Sequence, residues 1–139
     1  MVDIYWAAPL HDVEDRERNT KAASAFRAAG HNVYMPQEHG VWEQCLKNFN
    51  GDKQMTRSYF YHLDIIAMNR SNICVVYHSR KTGPSEGQLF EMGYMKAQGK
   101  VVILINEVGW DFNLMPEFGA DFYCESVEEA IAFMQAEGF

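Results

Sequence analysis

Three short apolar runs constrain this chain more than any other feature. They are Val2–Ala8 (VDIYWAA), Asn72–Ser79 (NICVVYHS) and Lys100–Glu107 (KVVILINE). Near-continuous apolar runs of this length predict strands covered on both faces. Segments with helical spacing separate them, so the connections read β-α-β and the sheet is expected to be parallel.

The rest of the chain fits that frame. Asp12–Gly30 has acids near its start, Ala-rich spacing and a glycine at its end, which predicts a helix. His31–Pro36 (HNVYMP) and Ala120–Ser126 (ADFYCES) read as two further short strands. In Met55–Ser71, Tyr59, Leu63, Ile65 and Ile66 are expected to share one helical face. Ser126, with Glu129 three residues on, fits a capping box for a last helix. Gln37–Gln54 is polar, with Asn50-Gly51 as a turn, and is expected to be a loop with one short helix. The prediction is a single domain over residues 1–139. Its fold class is α/β: a three-layer, doubly wound, about five-stranded parallel sheet of flavodoxin-like form. In such sheets ligands are expected at the carboxyl ends of the strands, near the point where strand order reverses.

Composition excludes several function classes. The formal net charge is −7 and the pI about 5.1, with no Lys/Arg-rich block, so no nucleic acid polymer is expected as partner. Three cysteines with no CxxC spacing predict neither a disulfide framework nor a zinc site, and Cys74 reads as core. The five histidines show no HxH or HxxxH spacing, so no metal is expected. MVDIYWAAPL lacks the basic region and apolar length of a signal peptide, and no stretch approaches 18 apolar residues. A cytoplasmic protein with no membrane partner is the expectation.

Four places carry candidate chemistry. Gly83, Ser85 and Gly87 lie between the third strand and a helix, where backbone N–H groups and the helix N-terminus suit an anionic ligand. An ordinary βα turn reads equally well. Glu91 lies six residues into that helix, among Phe90, Met92 and Tyr94. A solvated helix glutamate is the plain reading, but an acid on an apolar face needs partners. Tyr5, on the central first strand, is placed to reach it and to hold the carboxylate as a nucleophile. Asp64 lies between Leu63 and Ile65 on a helix, either in a solvent-facing slot or as a second acid at the same pocket. Asn113, before Pro116, reads as a turn residue or a ligand contact. Trp6, Trp42 and Tyr59 are each core or a stacking surface for a planar ligand. Trp110 and Phe112 are core or a subunit contact.

Together these segments resemble the nucleoside 2-deoxyribosyltransferase family. IYWAAP resembles its first strand, with the family tyrosine at Tyr5. LDIIAMNRSNICVVY is similar to its Asp-bearing helix and third strand, with the Asp at Asp64. SEGQLFEMGYMKAQGKVVILI resembles its most specific motif and puts the nucleophilic Glu at Glu91. NLM, at Asn113 to Met115, resembles the segment a neighbouring subunit offers to the sugar 5′-hydroxyl. The likeness covers most of the chain, with Gln37–Thr56 poorly matched.

The resemblance implies cleavage of the N-glycosidic bond of a 2′-deoxynucleoside through a deoxyribosyl-Glu91 intermediate. The sugar then passes to another nucleobase or to water. Glu91, Asp64 and Tyr5 would be catalytic, while Ser85, Gly87, Asn113, Gly83 and Met115 would hold substrate. Such exchange has no redox step, so no cofactor is expected. The resemblance also implies a homo-oligomer built from dimers, with a hexamer as one arrangement, and shared active sites.

One departure keeps the substrate open. The transferases usually carry Asp six residues before the nucleophile, where this chain has Ser85. The related nucleoside 5′-monophosphate N-glycosidases carry a Ser there that contacts phosphate. Ser85 with Arg80 and Lys81 would suit a nucleotide, whereas NLM suits a nucleoside. A third alternative is a non-catalytic sensor of a nucleotide derivative. Base contacts are expected from the loop around Gln37–Trp42.

Overall fold

A computed structural model describes residues 1–139. Five strands alternate with helices: β1 (Asp3–Ala7), α1 (Val13–Ala28), β2 (Asn32–Tyr34), α2 (Trp42–Asn48), α3 (Lys53–Arg70), β3 (Ile73–His78), α4 (Glu86–Ala97), β4 (Val101–Asn106), α5 (Leu114–Gly119), β5 (Phe122–Cys124) and α6 (Val127–Ala136). A 3₁₀ turn, Pro36–Glu38, follows β2. The sheet order is β2-β1-β3-β4-β5 and every pairing is parallel. The expected three-layer α/β architecture is therefore present, with strand order reversing between β1 and β3.

Strand periodicity divides the core in two. Ile4, Trp6, Ile73, Val75, Tyr77, Ile103 and Ile105 face α1 and α6, where they meet Phe26, Ala130 and Met134. Tyr5, Ala7, Cys74, Val76, Val102 and Leu104 face α3 and α4, where they meet Met68, Met92 and Met95. Each fully buried side chain of this size contributes roughly 1.5–3 kcal/mol of transfer free energy. Tyr5 thus enters the α3–α4 layer because successive side chains of β1 alternate between the faces.

Three local expectations need correction. First, Tyr59 and Ile66 are exposed; the inward stripe of α3 runs through Thr56, Leu63, Asp64, Ala67 and Met68. The apolar residues of α3 surround more than one face, so spacing alone selected the wrong one. Second, Asn113 does not merely turn the chain. It caps α5, its Oδ1 accepting from the Met115 N–H at 2.9 Å. Pro116 is compatible with this short helix because it lies in the first turn, where its missing N–H costs nothing. Third, the capping box at α6 is displaced: Ser126 Oγ accepts from Glu129 N–H, but the Glu129 carboxylate accepts from Glu125 N–H, one residue before the cap. The helix expected within Gln37–Gln54 is α2, and Asn50 and Gly51, both with positive φ, turn the chain into α3. No helix is long and apolar enough to cross a membrane.

Candidate active site

Helix α4 brings Glu91 to the sheet. Ser85 caps it: Ser85 Oγ accepts from Gln88 N–H at 3.1 Å, and Gln88 Oε1 accepts from Ser85 N–H at 3.4 Å. The same Gln88 side chain, fully buried, donates Nε2–H to Tyr77 O at 2.8 Å and to Ala7 O at 3.3 Å. One glutamine therefore closes the helix start and ties it to the carboxyl ends of β3 and β1. Glu91 follows one turn later on the same inward stripe, between Gln88 and Met95.

There Glu91 meets Tyr5 and Asp64. The Tyr5 hydroxyl donates to Glu91 Oε2. Tyr61, Asp64, Met68, Gly87, Phe90 and Glu91 line a cavity of about 330 Å³ between α3 and α4. Gly87 lies one turn before Glu91, and a Cβ at Gly87 would meet nothing within 4 Å, so the helix is thin where the cavity opens. Tyr5, Asp64, Glu91 and Gly87 are thus assembled at one place. That place is not beyond the strand ends, as expected, but over the middle of β1. The reason is helix direction: α4 runs back along the sheet, and six residues at 1.5 Å each carry Glu91 about 9 Å from the cap.

The electrostatics follow from burial. Glu91 is pushed up to about 8, chiefly by burial; the Tyr5 hydrogen bond opposes this and the Asp64 charge adds to it. Asp64 is pushed up to about 6 by burial alone. The Tyr5 phenol is raised far above its ordinary value by burial, then by the charges of Glu91 and Asp64. Both carboxyl groups are therefore held above their ordinary range, chiefly by burial. Two neighbouring carboxyl groups that do not both ionise readily suit a shared proton, one serving as acid while the other attacks.

Other expected site residues lie elsewhere. Gly83 is buried at φ +98°, and a Cβ there would meet the Trp110 indole at 2.8 Å. It shapes the turn and does not line the cavity. Arg80 donates Nε–H to Gly83 O at 2.7 Å and sits 3.5 Å from Asp15, so its guanidinium is already engaged within the chain. Lys81 is exposed. Asn113 and Met115 do not line the cavity of their own chain; Leu114, Met115 and Phe118 all stand exposed on and beside α5. Trp6 is buried and donates to Asn19 Oδ1, so it offers no stacking surface. Trp42 is stacked on Phe60. Tyr59 lines a second cavity of about 680 Å³ with Tyr34, His39 and Leu63. No group of three or more His, Cys, Asp or Glu side chains converges as a metal site would require.

Two contributors escaped the sequence reading. Gln88 was legible in principle, since Ser-x-x-Gln before a helix is a capping signature. Tyr34 was not, because its place beside Tyr5 depends on pairing between β1 and β2.

Known proteins share this architecture. The family model described as Nucleoside 2-deoxyribosyltransferase matches residues 4–132, nearly the whole chain. No curated protein is matched by sequence. Among solved structures, the fold is similar to a 2-deoxyribosyltransferase of Bacillus psychrosaccharolyticus, at 22% identity and TM-score 0.73, over 93% of this chain and 90% of that one. It is also similar to a 2-desoxiribosyltransferase of Leishmania mexicana, at 18% identity and TM-score 0.68, over 100% of both chains. A CMP N-glycosidase of Clostridium botulinum is more distant, at 15% identity and TM-score 0.56, over 97% of this chain and 98% of that one. The chain belongs to the nucleoside 2-deoxyribosyltransferase family of glycosyl-transferring enzymes.

Proposed function

We propose that this enzyme cleaves the N-glycosidic bond of 2′-deoxynucleosides by double displacement at Glu91. The observation that carries this is the Tyr5–Glu91 hydrogen bond in a cavity shared with Asp64. The ionised Glu91 carboxylate attacks C1′ as the C1′–N bond breaks through an oxocarbenium-like transition state. The electron pair of that bond leaves with the base, and Asp64 delivers the proton the base nitrogen needs. Ionising Glu91 passes its proton to Asp64 beside it, which then gives that proton to the leaving base. Tyr5 orients the attacking oxygen and stabilises the carboxylate. A second base, or water, then displaces Glu91 from C1′ and regenerates it.

A second copy of the chain completes the site in this reading. Asn113 and Met115 would come from that neighbour to the sugar, and the exposed Leu114, Met115 and Phe118 give it an apolar seat. The three cysteines are free, as suits a reducing compartment, and we place the reaction in the cytoplasm.

Hydrolysis of a nucleoside 5′-monophosphate is the second reading. Ser85 at the N-terminus of α4 favours it, because that end of a helix attracts an anion. The engagement of Arg80 with Gly83 O and Asp15 supports the nucleoside instead. Incubation with deoxynucleosides and with their monophosphates, with and without acceptor base, separates the two. New nucleoside formed from the unphosphorylated donor is the expected result. Base release from the monophosphate alone would favour the second reading.

A further inference from the structure

The residue that holds Glu91 is itself held. Tyr5 and Tyr34 are register partners on parallel strands, so their rings leave the sheet side by side on the same face. The rings lie 5.8 Å apart, 14° from parallel. Beyond Tyr34 the 3₁₀ turn folds back, and the His39 imidazole lies on the outer face of the Tyr34 ring at 4.0 Å and 6°.

That outermost ring is anchored on both sides. Glu38 accepts from Arg27 at 2.5 and 3.0 Å, while the same guanidinium donates to Val33 O at 2.9 Å. Gly40, at φ +120°, packs so closely on Phe60 of α3 that a Cβ would meet the ring at 2.9 Å. The turn is thus pinned to α1 on one side and to α3 on the other. A row of three rings runs from this strap to the phenol that grips Glu91.

We infer that Tyr34 and His39 are positioning residues that fix the Tyr5 ring, and through its hydroxyl the Glu91 carboxylate, in the attacking geometry. This rests on the reading of Glu91 as nucleophile with Tyr5 as its holder. Parallel aromatic contacts restrict ring motion, and an attacking oxygen misplaced by a fraction of an ångström loses rate rather than binding. Neither Tyr34 nor His39 lines the cavity of Glu91. Their effect is therefore expected in kcat and not in KM.

The test is steady-state kinetics of base exchange against pH for Tyr34→Ala, Tyr34→Phe and His39→Ala, beside Tyr5→Phe and Glu91→Gln. For Tyr34→Ala, kcat is expected to fall about 3- to 10-fold with KM within about twofold. The groups facing Glu91 are Tyr5 from β1, Asp64 from α3, Cys74 from β3 and Tyr34 from β2. Of these, the Tyr5 hydrogen bond holds Glu91 down, so loosening Tyr5 moves the acid limb of the profile to higher pH. Tyr34→Phe keeps the ring and is expected to restore both kcat and profile. His39→Ala, on an exposed turn, is expected to fall in the same direction by less, and decides the matter if Tyr34→Ala does not fold.

Wild-type kcat and profile in Tyr34→Ala, or in a His39→Ala that stands in for it, would overturn the inference. So would a loss confined to KM or to base preference, which would mark a contact with the base. Equal damage from Tyr34→Phe and Tyr34→Ala would also overturn it, since the hydroxyl would then be what matters. If Tyr5→Phe and Glu91→Gln stay fully active, the underlying reading of the site fails. If those two lose activity and Tyr34→Ala does not, the ring stack alone fails.

Discussion

The Tyr5 hydroxyl on β1 donates to the Glu91 carboxylate on α4, joining an interior strand of the sheet to a helix far away in the chain. It is the one hydrogen bond that opposes the effect of burial on Glu91. Tyr5→Phe removes it while keeping the ring. A hydrogen bond to a charged group contributes about 1.5–3 kcal/mol, so kcat for base exchange is expected to fall roughly 10- to 100-fold. The acid limb of the pH profile is expected to move to higher pH. An unchanged profile would show that Tyr5 does not support the ionised carboxylate.

The two carboxyl groups predict a stability trend as well as a rate profile. Glu91 is raised to about 8 and Asp64 to about 6, both above ordinary carboxyl values. A carboxyl whose pKa is raised by folding favours the folded state below its unfolded value, and that advantage is lost as pH rises through the folded value. Stability is therefore expected to fall between about pH 4.5 and pH 8. Glu91→Gln removes the buried charge and should raise Tm at pH 9 more than at pH 5. Thermal unfolding of both proteins across that range checks it; a Tm gain that is independent of pH would contradict it.

Gln88 links the cap of α4 to two strand ends. Gln88→Ala leaves Ala7 O and Tyr77 O without this donor and removes half of the capping box. Each buried group left unpaired costs about 1–3 kcal/mol. Denaturant unfolding should show that loss, and kcat should fall with it because α4 aims Glu91. Full stability in this variant would mean that other donors reach those carbonyls.

The contrast between Glu91 and Tyr34 shows what the chain discloses locally. The place of Glu91 on the inward face of α4 was legible because helix period and flanking apolar residues both lie within one segment. The alternation of strands and helices was legible for the same reason. Tyr34 depends on the register of β2 against β1, and register is set by nonlocal packing that no single window contains. Asn113 misled because a residue before Leu-Met-Pro reads as a turn, although an asparagine also caps a helix whose first turn tolerates proline. The site lay inward of the expected strand ends because that expectation ignored how far α4 runs back over the sheet.

The apolar residues around α5 carry the oligomer prediction. Leu114, Met115 and Phe118 are 61%, 71% and 80% exposed, which a surface without a partner rarely presents together. Phe118→Asp is expected to shift the protein to smaller species in sedimentation velocity, with far-UV circular dichroism unchanged. Base exchange should fall with the assembly, because Asn113 and Met115 reach the sugar only from a neighbour in this account. A dissociated variant with full activity would show that one chain suffices.

Capture of the sugar on Glu91 bears most directly on the mechanism. A deoxynucleoside isotopically labelled in its sugar is mixed with the enzyme without acceptor base, and the reaction is quenched with acid and digested. Mass analysis of the peptide containing Glu91 is expected to find a labelled deoxyribosyl group on that residue, discharged when acceptor base is added before the quench. Glu91→Gln should carry no label and no exchange activity. Exchange in Glu91→Gln at near the wild-type rate would contradict the account.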